Sequence, residues 1–201
     1  MRGIACSRSP AMEFDWAFYD DLVEVAHANG ISVYGLLCYW STFTRKDTPE
    51  GVEEYCQWAR QVVRHYKGRI KHWEIWNEPN IFFWSGPKEL YFKLLAKVYD
   101  VIKAEDPEAQ VLGCSTAGID IDFIKRTMAA GARFDALTIH PYRGELNDLE
   151  YIKELRDVKA LVDGRPVWIT EMGWPSQRVW GRTEREQASY VARTYLTSVA
   201  S

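Results

Sequence analysis

Short apolar stretches alternate with amphipathic helical patterns from one end of this chain to the other, and that alternation narrows the folds open to it. Residues 31–38, 70–77, 110–114, 136–140 and 166–171 read as buried strands. Asp15 is placed to cap a first helix with Phe18, Leu22 and Val25 on its apolar face, ended by Gly30. Thr48-Pro49 opens a second, with Val52, Tyr55, Cys56, Ala59, Val62, Val63 and Tyr66 on one face and Gly68 closing it. Pro87 begins a third (Leu90, Leu94, Val98, Ile102) that stops before Pro107. Two more are expected at 121–131 and 148–163, the latter burying Leu149, Ile152, Leu155 and Val162. Thr183 and Glu186 make a capping box for a last helix at 183–199.

Strict alternation, with strands too apolar to face water, predicts a parallel sheet covered by helices. An open doubly wound sheet and a (β/α)8 barrel both satisfy it. Doubly wound nucleotide binders carry a Gly-rich turn after the first strand, which this chain lacks. In a barrel, chemistry sits at the C-terminal ends of the strands, where the polar motifs of this chain fall. The expected fold is therefore α/β, a (β/α)8 TIM barrel. A complete barrel has eight strands and typically about 250 residues. The clear strands here, with a candidate remnant at Gly3-Ile4-Ala5-Cys6, predict a partial barrel, about strands 3 to 7 with their helices. A single catalytic domain is expected over residues 1–201. Two open parallel edges would offer a route to self-association.

Composition excludes several function classes. At 201 residues and 47% hydrophobic, the chain has enough apolar material for a substantial core. A net charge of −3 gives no electrostatic case for nucleic acid or an anionic membrane as partner. No run approaches the ~18 apolar residues of a membrane span, and the start has no signal-peptide pattern. Cys6, Cys38, Cys56 and Cys114 form no CxxC pair and read as free, buried thiols. His27 and His65 read as solvent-side or interfacial. No His/Cys/Asp group has metal-ligand spacing, so neither metal nor cofactor is implied. Nine Trp and eleven Tyr supply both packing and faces on which a sugar could stack.

Two strings carry the chemistry: Trp73-Glu74-Ile75-Trp76-Asn77-Glu78-Pro79-Asn80 and Trp168-Ile169-Thr170-Glu171-Met172-Gly173-Trp174. Each is an apolar strand that runs into a carboxylate and is stopped by Pro or Gly. Cleaving a glycosidic bond needs two carboxyl groups across a fixed gap, one carrying a proton and one charged. In extended backbone Glu74, Trp76 and Glu78 would share a face, with Glu74 about 13 Å below Glu78 at ~3.3 Å per residue. Glu74 then reads as a structural carboxylate bound to polar neighbours, and Glu78 as the group at the mouth.

Trp76-Asn77-Glu78-Pro79 together with Thr170-Glu171-Met172-Gly173-Trp174 resembles the retaining glycoside hydrolases of clan A, particularly families 39 and 5, over roughly residues 13 to 200. In those barrels an Asn-Glu pair ends the fourth strand and a second Glu ends the seventh, which agrees with counting 31–38 as the third strand. The resemblance implies a double displacement on a β-linked oligosaccharide or glycoside, with Glu78 as general acid/base and Glu171 as nucleophile. It implies that Asn77 binds the sugar 2-OH, and that His140 and Tyr142 are the His-x-Tyr pair that lies beside the nucleophile and contacts substrate. Among the Trp residues that follow strands, Trp174 and Trp40 are the substrate-binding candidates, while Trp84 and Trp180 read as surface aromatics. The family's Arg near the second strand is not assigned, although Arg2 and Arg8 are nearby, and its Trp after the eighth strand has no counterpart. The alternative reading is an incomplete barrel that binds carbohydrate or a partner chain without hydrolysis.

Overall fold

The computed structural model describes residues 14–41, 44–176 and 181–201. Helices and strands alternate as α1 (Ala17–Ala28), β1 (Tyr34–Leu37), α2 (Pro49–His65), β2 (His72–Ile75), α3 (Lys88–Glu105), β3 (Gln110–Ala117), α4 (Ile121–Ala129), β4 (Ala136–His140), α5 (Asp148–Leu161), β5 (Val167–Ile169) and α6 (Glu184–Ala200). The strands form one five-stranded parallel sheet in the order β1-β2-β3-β4-β5. A doubly wound sheet reverses its strand order at a switch point. Here each strand joins the next without reversal, which is the arrangement of an arc of a (β/α)8 barrel.

Local chemistry sets the element ends. The Thr48 hydroxyl accepts the Gly51 N–H at 3.0 Å and Pro49 takes the first turn of α2. Every residue expected on the apolar face of α2 is buried, as are Leu90, Leu94, Val98 and Ile102 of α3. Thr183 and Glu186 close a complete capping box at the start of α6. Cys38, Cys56 and Cys114 are free thiols, while Cys6 and the candidate strand at 3–6 lie outside the described residues.

Two helix faces differ from expectation. Phe18, Leu22 and Val25 of α1 point outward, and the helix buries Val23 instead. It rests on the end of α2 through polar and ring contacts: Asp20 reaches His65 at 2.7 Å and Arg69 at 3.3 Å, and Trp16 stacks on His65. Trp16 is its N-cap residue, with Asp15 accepting the Ala17 N–H at 3.2 Å. In α5, Leu149 is exposed and Ile152 half-buried, whereas Tyr151, Leu155, Val158 and Val162 pack inward. That set follows an i, i+4, i+7, i+11 stripe, which holds one helical face better than the set read from sequence. On α6, Val191, Tyr195, Leu196 and Val199 are exposed. Apolar residues thus face outward on the helix before the first described strand and on the helix after the last. Among the described residues, no helix is long and apolar enough to cross a membrane.

One side of the sheet packs on the helices. Trp73, Ile75, Val111, Leu137 and Ile139 share a buried cluster with Val62, Val63, Leu94, Leu95 and Val98. Gly35, register partner of Trp73, lies hard against it: a Cβ there would stand 2.3 Å from the indole ring. Trp73 is fully enclosed and has nowhere to move. Gly35→Ala is expected to cost about 1–3 kcal/mol of stability, the range of an overpacked core. A urea unfolding curve checks this, and an unchanged midpoint would contradict it.

Candidate active site

The strands end irregularly on one side of the sheet. β2 stops at Ile75, after which Trp76 and Glu78 adopt left-handed φ angles of 68° and 46°. β3 carries a register shift between Gly113 and Thr116, where Cys114 and Ser115 have φ of 78° and 43°. Non-glycine residues in this region cost of order 1–3 kcal/mol each and persist where surrounding contacts hold them. One such contact ties the two irregular segments together: the Glu78 N–H donates to the Ser115 carbonyl at 2.9 Å.

The expectation that Glu74, Trp76 and Glu78 share a face fails for this reason. Side-chain alternation holds only in extended backbone, and the left-handed residues redirect the chain. Trp76 turns into an aromatic cluster with Trp40, Tyr55 and Trp84, ring centroids 5.1, 6.1 and 4.8 Å away, and its indole N–H donates to the Phe83 carbonyl at 3.1 Å. Trp76 alone leaves the face, while Glu74 and Glu78 both reach the His140 ring; Glu74 is the deeper of these two. It is fully buried and accepts hydrogen bonds from the hydroxyls of Ser115 (2.9 Å) and Thr170 (2.8 Å), in keeping with a structural carboxylate.

Glu78 and Glu171 converge on His140. Ligand atoms of all three lie within 4.8 Å of one another. His140 Nδ1 is 3.2 Å from Glu78 Oε1 and 3.8 Å from Glu171 Oε2. On the other side of the ring, Nε2 contacts the Thr170 hydroxyl at 3.0 Å and lies 3.7 Å from Glu74. Thr170 gives its proton to Glu74, so it accepts the Nε2–H. Burial alone would lower the imidazole's pKa. The nearby carboxylates of Glu74 and Glu171 and the bond to Glu78 together outweigh it and raise the pKa above its ordinary 6.5. The Tyr142 hydroxyl donates to Glu171 Oε2 at 3.3 Å, and burial followed by that carboxylate pushes the phenol's pKa up. Asn77 is nearly buried beside Glu78.

This trio is close enough to hold a cation, although no linear spacing announces it, because its members come from three different strand ends. The absence of metal-ligand spacing was thus a property of the sequence and not of the folded site.

The other expected residues divide. Trp174 is 6% exposed, its indole N–H donating to the Arg143 carbonyl at 2.6 Å and its ring packed edge-on against Tyr190. It forms part of the wall of a cavity of about 660 Å³ with Tyr142, Arg143 and Arg182, and offers no open ring face. Trp40 is half-buried in the aromatic cluster behind Trp76. Trp84, read as a surface aromatic, is enclosed, with its N–H on the Pro87 carbonyl at 3.0 Å. Trp40 and Trp84 are enclosed because the loop after β2 folds back on the strand end, whereas Trp174 is closed by Tyr190 of α6 and the Arg143 carbonyl. Trp180, Arg2 and Arg8 lie outside the described residues.

Two residues that sequence reasoning missed organise this loop. The Asn80 amide donates to the Ala117 carbonyl and Asp120 and accepts the Ala117 N–H, all within 3.1 Å, clipping the loop to the end of β3. The Lys88 ammonium donates to the carbonyls of Pro79 (2.7 Å), Ile81 (2.9 Å) and Trp84 (3.4 Å). Burial lowers its pKa, with Arg126 adding to the effect. A signal existed: a cation in the first turn of a helix opposes the helix dipole, so Lys88 at that position needs another reason to be there.

Residues 114–200 match the family described as "Glycosyl hydrolase catalytic core". A β-xylosidase of Caldicellulosiruptor saccharolyticus is 28% identical over 74% of this chain and 36% of its own length. An endo-1,4-β-xylanase A of Xylanibacter ruminicola is 26% identical over 87% of this chain and 54% of its own. A family 39 glycoside hydrolase from Bacteroides cellulosilyticus superposes with a TM-score of 0.74 at 23% identity, over 94% of this chain and 44% of that one. The chain therefore spans about a third to a half of the length of these proteins. It resembles the clan A glycoside hydrolases, and its fold corresponds to part of their catalytic-core barrel.

Proposed function

We propose that this chain supplies the catalytic carboxylates of a retaining glycosidase acting on a β-linked sugar, with Glu171 as nucleophile and Glu78 as general acid/base. The observation that carries the reading is the spacing of the pair. One carboxylate oxygen of each lies within 4.8 Å of the other, which fits the close pair of retaining enzymes, ~5–5.5 Å apart, better than the ~6.5–9.5 Å of inverting ones. The side chain of Glu78 is 12% exposed and that of Glu171 33%, so the acid/base occupies the more enclosed position and the nucleophile the more open one.

In the first step Glu171 attacks the anomeric carbon while Glu78 gives its proton to the departing oxygen. The C–O bond to the leaving group breaks and a glycosyl–Glu171 ester forms. In the second, Glu78 takes a proton from water, which displaces Glu171 and releases the sugar. His140 and Tyr142 hold the two carboxyls in register, and Asn77 is positioned for the sugar beside Glu78. The named relatives point to β-xylosides and β-1,4-xylan fragments as the first substrates to try.

A second reading, carbohydrate or partner-chain binding without turnover, draws on the position of β1 and β5 as the outer strands among the described residues and on the outward apolar residues of α1 and α6. Hydrolysis assays separate the two. Glu171→Gln is expected to abolish turnover of every glycoside. Glu78→Gln should lower kcat/KM on an alkyl β-xyloside by about 10²–10⁴-fold. It should have far less effect on a nitrophenyl β-xyloside, whose leaving group departs without a proton. Wild-type rates in either variant on the alkyl substrate would refute the assigned roles.

The raised pKa of His140 has a stability consequence with a definite sign. A group protonated more readily in the folded state stabilises it fully below the unfolded value of 6.5, and that contribution is lost as pH rises through the raised folded value. Urea midpoints should therefore fall from about pH 6.5 upward, and His140→Gln should flatten that slope. A parallel pH dependence in both proteins would contradict the assignment.

A further inference from the structure

We propose that Tyr39, Phe83 and Phe82 form a leaving-group subsite, a platform for the flat apolar face of an aryl group or a second pyranose; the inference rests on the two-carboxylate reading above. The chain encloses most of its large aromatics, yet Phe82 is 79% exposed, Tyr39 41% and Phe83 38%. These three are contiguous. The Phe82 and Phe83 rings lie 4.4 Å apart, and Phe83 stacks on Tyr39 at 6.0 Å with planes 20° apart.

The platform abuts the reacting centre. Tyr39 meets Trp76 edge-on at 5.3 Å, and Trp76 stands two residues before Glu78. Phe82 and Phe83 lie on the loop that leaves Glu78. A general acid stands next to the oxygen it protonates, so the departing group must lie on the side of Glu78, where these rings are. Three features hold the exposed rings in place from behind: the Lys88 ammonium on three loop carbonyls, the Trp76 indole N–H on the Phe83 carbonyl, and the Asn80 clip. A preformed apolar surface of this kind binds without first ordering its loop.

The test compares methyl β-xyloside, phenyl β-xyloside and xylobiose by calorimetry in the Glu171→Gln chain, which binds without turning over. The phenyl glycoside, xylobiose or both should bind about tenfold more tightly than the methyl glycoside, the scale of one stacking contact. Which of the two gains tells whether the platform takes an aryl ring or a sugar. Adding Phe82→Ala and Phe83→Ala should erase the gain and leave methyl xyloside affinity unchanged, while Phe82→Tyr should keep it. Equal affinity for all three ligands, or a gain that survives both alanines, overturns the platform. If nothing binds, the platform falls as well. Parallel hydrolysis by the unsubstituted chain then shows whether the two-carboxylate reading stands without it.

Discussion

His140 is cut off from solvent and has three carboxylates around it, and nearly every polar contact in the site can be traced to that placement. A buried charge without partners costs several kcal/mol, and a buried pair is tolerated only when its remaining donors and acceptors are also satisfied. Here both ring nitrogens are engaged, Nδ1 toward Glu78 and Nε2 toward Thr170, while the hydroxyls of Ser115 in β3 and Thr170 after β5 donate to Glu74. One imidazole thereby links β2, β4 and β5, with β3 joined through Ser115. Removing it would leave the carboxylates facing one another without the imidazole between them.

The backbone is distorted to bring these groups together. Trp76, Glu78, Cys114 and Ser115 all sit in the left-handed region, and the Glu78–Ser115 backbone bond locks two of those distortions to each other. The aromatic cluster under Trp76 and the ammonium of Lys88 hold the loop that follows. Strain at the mouth rests on packing beneath it, in line with the stacking of Trp73 over Gly35 in the body of the sheet.

What was legible in the sequence follows from how local the governing physics is. Apolar periodicity and caps are set within a few residues, so strands, helices, the Thr183–Glu186 capping box and the buried faces of α2 and α3 could be read directly. Glu78 and Glu171 stood out because each interrupts an apolar strand just before Pro or Gly. The outward turn of Phe18, Leu22 and Val25 could not be read, because which face a helix buries depends on what lies beside it. Strand alternation misled at Trp76, where a left-handed residue broke the assumption behind it. Trp174 and Trp40 showed only as aromatic residues after strands, and loop packing that joins distant segments decides whether such a ring is open. The hydroxyls of Ser115 and Thr170 carry no pattern of their own and gain meaning only from Glu74 between them.

The fold is an arc of a barrel with β1 and β5 at its edges, and the carboxyl pair lies within that arc. Both proposed catalytic groups and their supports therefore belong to this chain. The most direct test of the two-carboxylate account is the anomeric configuration of the first sugar released from a β-xyloside, followed by proton NMR before mutarotation. The account predicts the β-anomer, the product of two displacements at one carbon. The α-anomer appearing first would mean a single displacement by water, and a pair of carboxyls this close could not be acting as proposed.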